Sequence, residues 1–202
     1  GSLMWDSPDE DSVRPATLIL ASLSIALLVS ACASPAWTSY TAASTRNYRA
    51  LPSNLIHDLA VDGEGRLWAA TRDGVAVLDG DEWRSYDTRN SGLSEDAVLS
   101  VAQDAQGTLW FGMRSAGVHS FDGETWASHN ISNSGLAGNT VMSIAVDSDD
   151  LVWFGTMNGV SAFDGETWTT YTTRNSDLVD DTVYAVAPDS QGTMWFGTWN
   201  GV

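Results

Sequence analysis

From residue 54 onward the apolar residues come in short runs separated by Asp, Gly, Asn and Ser, and the runs recur in a constant order. The clearest copy is Thr108-Leu109-Trp110-Phe111-Gly112, then Gly117-Val118-His119-Ser120-Phe121, then Asp122-Gly123-Glu124-Thr125 and Trp126. Laid in register, the first tryptophan falls at Trp68, Trp110, Trp153 and Trp195, in steps of 42, 43 and 42, and the second at Trp83, Trp126 and Trp168. Each repeat reads as four β-strands, here called a to d. Strand a is expected at 56–61, 98–102 and 140–146, b is the Leu-Trp-Phe-Gly run, c is Gly-Val-x-x-Phe, and d is Trp-x-x-Tyr at 83–86 and 168–171. All are rich in β-branched and aromatic residues and bounded by turn formers. Strand b is apolar at consecutive positions, which suits a sheet covered on both faces. A fixed period with these contents predicts an all-β β-propeller of four-stranded antiparallel blades, each burying its faces against its neighbours. The blades are expected at 54–86, 97–129, 139–171 and, incomplete, 182–202, with all seven tryptophans as structural residues and Trp68, Trp110, Trp153 and Trp195 of strand b behaving alike.

The turns carry the same message. Asp-Gly at 79–80, 122–123 and 164–165 joins c to d and signals a hairpin. Between a and b stand Asp62-Gly63-Glu64-Gly65, Asp104-Ala105-Gln106-Gly107 and Asp189-Ser190-Gln191-Gly192. The third copy, Asp147-Ser148-Asp149-Asp150, lacks the glycine, so Asp150 is expected in the left-handed conformation. Asp147 and Asp149 have the spacing of hard-cation ligands, yet turn geometry accounts for all four copies, and no metal or cofactor is expected.

Charge narrows the partners. There are 26 acidic residues against 9 basic ones, all arginine, for a formal charge of −17. Without a basic stripe the chain lacks what nucleic acid requires. Residues 15–31 are uncharged, short for a membrane span of roughly 20 residues, and end in small residues before the only cysteine, Cys32. Val29-Ser30-Ala31-Cys32 resembles the lipobox of bacterial lipoproteins, which implies cleavage before a lipidated Cys32 and a membrane anchor in the cell envelope. The acidic stretch before Arg14 does not suit a signal, and initiation at Val13 would remove it. Residues 1–31 thus read as an extension plus leader, and 32–53 as a tether bearing one outer strand at 37–40 that matches strand d. Gly201-Val202 stands where strand c begins in other copies, so the ring is expected to be incomplete.

Val-x-x-Val/Ile-Ala-x-Asp-x-x-Gly-x-Leu-Trp-Phe-Gly-Thr, followed by Asn-Gly-Val-x-x-Phe-Asp-Gly, resembles the two-component regulator propeller repeat over about residues 54–202. The resemblance implies an extracytoplasmic sensing propeller, with a structural or adhesive surface module as the alternative. It also brings in propeller enzymes of the virginiamycin B lyase type, which use His and Glu. His57, His119 and His129 are scattered over three strands without a His-x-Glu pair, so no catalytic residue is assigned. Positions alike in every copy serve the blade, and positions that differ are free to serve a ligand. The b–c turns differ most, with Arg72, Arg114, Met157-Asn158 and Trp199-Asn200, and the d–a connections on the same end add Arg89 and Arg174. This end is the expected binding face for a small molecule, a glycan or a protein partner.

Overall fold

The computed structural model describes residues 38–42 and 51–202, so the expected leader, Cys32 and Trp37 lie outside the described residues. Strand follows strand from residue 56 onward. The first sheet is β1 (Ile56–Val61), β2 (Leu67–Thr71), β3 (Gly74–Asp79) and β4 (Glu82–Tyr86). The second is β5 (Val98–Gln103), β6 (Leu109–Met113), β7 (Val118–Phe121) and β8 (Trp126–His129), and the third is β9 (Val141–Val146), β10 (Val152–Thr156), β11 (Gly159–Phe163) and β12 (Trp168–Tyr171). β13 (Val183–Pro188) and β14 (Met194–Thr198) pair as the fourth. Neighbours in sequence are neighbours in the sheet and run antiparallel, as in a propeller blade. Strands β1, β5, β9 and β13 pack side by side as the inner rim.

Strand pleating gives every blade two different faces. The face toward the preceding blade carries Leu109, Phe111, Phe121 and Trp126 in blade two, and the face toward the following blade carries Trp110 and Val118. Trp68 therefore meets Phe111, Trp110 meets Phe154, and Trp153 meets Phe196, with ring centroids 5.8, 5.5 and 5.5 Å apart. In the first blade the phenylalanine position is Ala69, and Leu51 and Trp83 complete that smaller cluster. Each strand-b indole also donates to the aspartate that opens its own a–b turn: Trp68 to Asp62, Trp110 to Asp104, Trp153 to Asp147 and Trp195 to Asp189, at 2.7–2.9 Å. These aspartates thus orient the core tryptophans as well as shaping turns. In Asp62, burial pushes the carboxyl upward, but hydrogen bonds from Trp68 and Arg66 outweigh it and hold it below the ordinary range.

Two expectations need correction. The strand-b tryptophans are not equivalent, because Trp68 and Trp110 are 2% and 4% exposed whereas Trp195 is 52% exposed. Trp195 belongs to none of the buried hydrophobic clusters among the described residues. The outer strand expected at 37–40 does not form over its described part, since residues 38–40 are irregular; Tyr40 instead meets Trp83 edge-on at 5.5 Å. Asp150 does take the left-handed conformation, at φ 65°, and its carboxylate accepts from Ala105 N of the neighbouring blade at 2.7 Å.

One irregularity was not foreseen. Each inner strand slips register at the same point, leaving His57, Leu99, Met142 and Tyr184 unpaired between residues that do pair with strand b. Each is a β-bulge.

Candidate functional site at the b–c end

The b–c turns and d–a connections form one end of the molecule, joined by repeated backbone bonds. Arg72 N donates to Leu55 O, Arg114 N to Ala97 O, Met157 N to Thr140 O and Trp199 N to Thr182 O, at 3.0–3.2 Å. The d–a connections are themselves one motif in three copies. Asn90, Asn133 and Asn175 each accept from the backbone N of the residue three before and donate Nδ2 to the end of strand d. Ser91, Ser134 and Ser176 donate to the carbonyl four residues back. The Asn-Ser pairs thus spend their polar groups on the turn, and the leucine that follows, Leu93 or Leu136, plugs the core between blades.

On this frame the side chains predicted as a binding site are exposed. Arg72, Arg114, Met157 and Trp199 occupy equivalent positions on successive blades, with Asn158 and Asn200 beside the last two. Trp199 is 70% exposed, and its ring lies 6.0 Å from that of Tyr184, which is 38% exposed. Asn200 Nδ2 donates to Asp180 at 2.5 Å. Arg89 is tied to Asp87 at 2.6 Å, which raises the guanidinium and lowers the carboxyl through the shared hydrogen bond, so Arg89 belongs to its own turn. Arg174 is exposed on the third connection. Sequence comparison did not find Tyr184, because it lies within a strand whose other positions serve the core.

The opposite end is nearly uniform where the first is varied. Asp122 and Asp164 each accept from the hydroxyl and backbone N of a threonine, Thr125 or Thr167, and from one further backbone N. These bonds pull both carboxyls down to about 2. Grooves of about 350 and 400 Å³ lie there between blades, lined by turn residues such as Asp122, Asp150 and Glu166 and by none of the predicted binding residues. Among the described residues no group of three or more His, Cys, Asp and Glu is arranged to hold a metal, and Asp147 spends its carboxylate on Trp153, Asp149 N and Leu151 N.

Two histidines belong to the packing. His119 is buried with Nε2 2.9 Å from Ser94 Oγ, and His129 lies against Trp110, Phe163 and Trp168. Burial pushes both imidazoles below their ordinary range, which favours the neutral form. His57 is the bulge residue of β1, its Nδ1 2.7 Å from Val98 O of the next inner strand.

Two solved structures, PorZ and virginiamycin B lyase, share the architecture. PorZ, a surface component of the type-IX secretion system of Porphyromonas gingivalis, is 17% identical with a TM-score of 0.57 over 80% of this chain and 28% of its own. Virginiamycin B lyase from Staphylococcus aureus is 14% identical with a TM-score of 0.55 over 68% of this chain and 47% of its own. The extracellular domain of a one component system, BT4673, from B. thetaiotaomicron is 18% identical with a TM-score of 0.46, over 77% and 28%. The chain spans less than half the length of each of these. No curated protein matches it. At these identities the likeness is one of fold. The family described as two component regulator propeller matches residues 50–73, 92–115, 135–158 and 177–200, so each blade carries one match to that repeat, running through strands a and b to the b–c turn.

Proposed function

We propose that this chain is an exported propeller of a two-component-type sensing system, held at the membrane by a lipid on Cys32, and that it binds its ligand or protein partner at the b–c end. The observation that carries the binding face is the contrast between a repeated frame and unlike side chains: identical backbone bonds present Arg72, Arg114, Met157 and Trp199 at one position of four blades. A frame that is the same in each copy serves the fold, whereas exposed residues that differ are free to serve recognition. The family match and the extracellular placement of BT4673 are in keeping with sensing outside the cytoplasm. An enzyme reading of the lyase type gains nothing from His119 and His129, which are packed inside.

A glycan and metabolite panel read by thermal shift on the full chain tests the face. Arg72→Gln, Arg114→Gln and Trp199→Ala should weaken binding of a hit by about tenfold or more while leaving the unliganded midpoint unchanged. Asp122→Ala should lower the midpoint and leave affinity alone. A hit indifferent to the three b–c substitutions places binding elsewhere, and a panel without hits favours a structural or adhesive module.

The anchor has its own test. The lipid is carried on the thiol, and a diacylglycerol with an amide-linked chain gives stable membrane residence. Cys32→Ser expressed in a bacterial host should therefore lose lipid labelling and leave the membrane fraction. Unchanged fractionation would show that Cys32 is not the anchor.

A further inference from the structure

The four bulges mark an unassigned part of the site. In each inner strand the residue before the bulge is a β-branched core residue, Ile56, Val98, Val141 or Val183, and the third residue after it is always alanine, at 60, 102, 145 and 187. The bulged residue changes in kind in every copy, as His57, Leu99, Met142 and Tyr184. A backbone feature kept four times around a side chain that changes each time is a device for aiming that side chain, the use bulges serve beside binding sites.

The bulge also falls at the b–c end. The residue before it pairs with the last residue of strand b, as Ile56 with Thr71, Val98 with Met113, Val141 with Thr156 and Val183 with Thr198. The next residue along strand b opens the b–c turn and donates its N to the residue two before the bulge residue, so every blade sets its bulge residue one diagonal step from its turn residue. Tyr184 and Trp199 are in ring contact for this reason. The four pairs are His57 with Arg72, Leu99 with Arg114, Met142 with Met157, and Tyr184 with Trp199. Because the inner strands are packed side by side, these pairs follow one another in blade order, with Arg72 and Arg114 at the first two blades and apolar or aromatic residues at the last two, while His57 Nδ1 lies 2.7 Å from Val98 O.

In a chain of charge −17 the cations of this row stand out. Arg114 makes no ion pair among the described residues, and Arg72 reaches only its neighbour Asp73, at 3.9 Å. Nearby carboxylates are engaged: Glu95 accepts from Ser115 N, Asp96 from Thr88 N and Asp181 from Thr173 N, each at 2.7–2.8 Å. Guanidinium groups recognise carboxylates and sulfates, and Tyr and Trp faces with methionine accept a ring or alkyl body.

We infer that the bulge row is the specificity-determining part of the b–c site and that its ligand is an amphipathic organic anion, its carboxylate or sulfate at Arg72 and Arg114 and its apolar body on Met142, Met157, Tyr184 and Trp199. This rests on the b–c end being the binding face. Calorimetric titration of the full chain with 4-phenylbutanoate, with the neutral 4-phenylbutan-1-ol and with acetate tests it. Phenylbutanoate binds at least about tenfold more tightly than either control. Arg114→Gln removes the preference over the alcohol, and Met142→Ala and Tyr184→Ala weaken both aromatic probes with the thermal midpoint unchanged. Equal binding of acid and alcohol, or no binding of any probe at millimolar concentration, overturns the ligand class. Affinity that falls with Arg72→Gln and Trp199→Ala but ignores Met142→Ala and Tyr184→Ala overturns the role of the bulges while keeping the face, and indifference to all of these variants overturns both.

Discussion

Replacing Trp68 or Trp110 with alanine is expected to remove about 3–5 kcal/mol of stability, the cost of truncating a buried aromatic. Both indoles fill the seam between blades, against Phe111 and Phe154 respectively, and both hold an aspartate of their own a–b turn. The same substitution at Trp195 is expected to cost only about 1 kcal/mol, since that ring keeps its bond to Asp189 but has little packing to lose. Trp110→Phe separates the two contributions, because it keeps most of the volume and leaves Asp104 with its bond from Thr108 N alone, for a loss of about 1–3 kcal/mol. Denaturant unfolding of the four variants measures all of this. A loss at Trp195 as large as at Trp68 would mean that the outer face of β14 is covered in solution.

The second large effect is expected at Gly117, which closes the b–c turn of the second blade at φ 85°. A left-handed conformation alone costs an alanine about 1–2 kcal/mol. At Gly117 a Cβ would also run into the carbonyl oxygen of His129, and Cα of Asn130 lies close behind. These are backbone atoms of the adjacent strand and cannot rotate away. The glycine's own N and O are held by Asn139 O and Met113 N at 2.9 and 2.8 Å, so the turn cannot shift without breaking them. Gly117→Ala should therefore cost about 3 kcal/mol or more. Gly123, at φ 100° with nothing within 4 Å of a Cβ, should cost only the conformational part when changed to alanine. Equal losses in the two variants would show that the clash at Gly117 is relieved and that the turn is softer than its bonds imply.

Much of the architecture was legible because a propeller writes itself as repetition. The period of 42 to 43 residues, the Asp-Gly turns and the doubly apolar strand b each follow from local rules, and agreement across copies removed the ambiguity any single run would have had. Even the left-handed Asp150 was readable, because three sister turns have glycine at that position. The candidate site was legible only in part. Comparing copies picked out Arg72, Arg114, Met157 and Trp199, but Arg89 proved to be bound into its turn by Asp87, and the Asn-Ser pairs beside it are turn scaffold.

What the sequence determined by itself was the set of elements, their order and their turns, since these depend on contacts between residues close in the chain. Tertiary structure decided which equivalent residues are equivalent in fact. Trp68 and Trp195 sit in the same motif with the same hydrogen bond, yet one is buried and the other half exposed, because burial is conferred by the adjacent blade and not by the repeat that carries the ring. The bulges likewise escaped the sequence, because one extra residue in an inner strand leaves the apolar pattern intact and becomes visible only when its register against strand b is known.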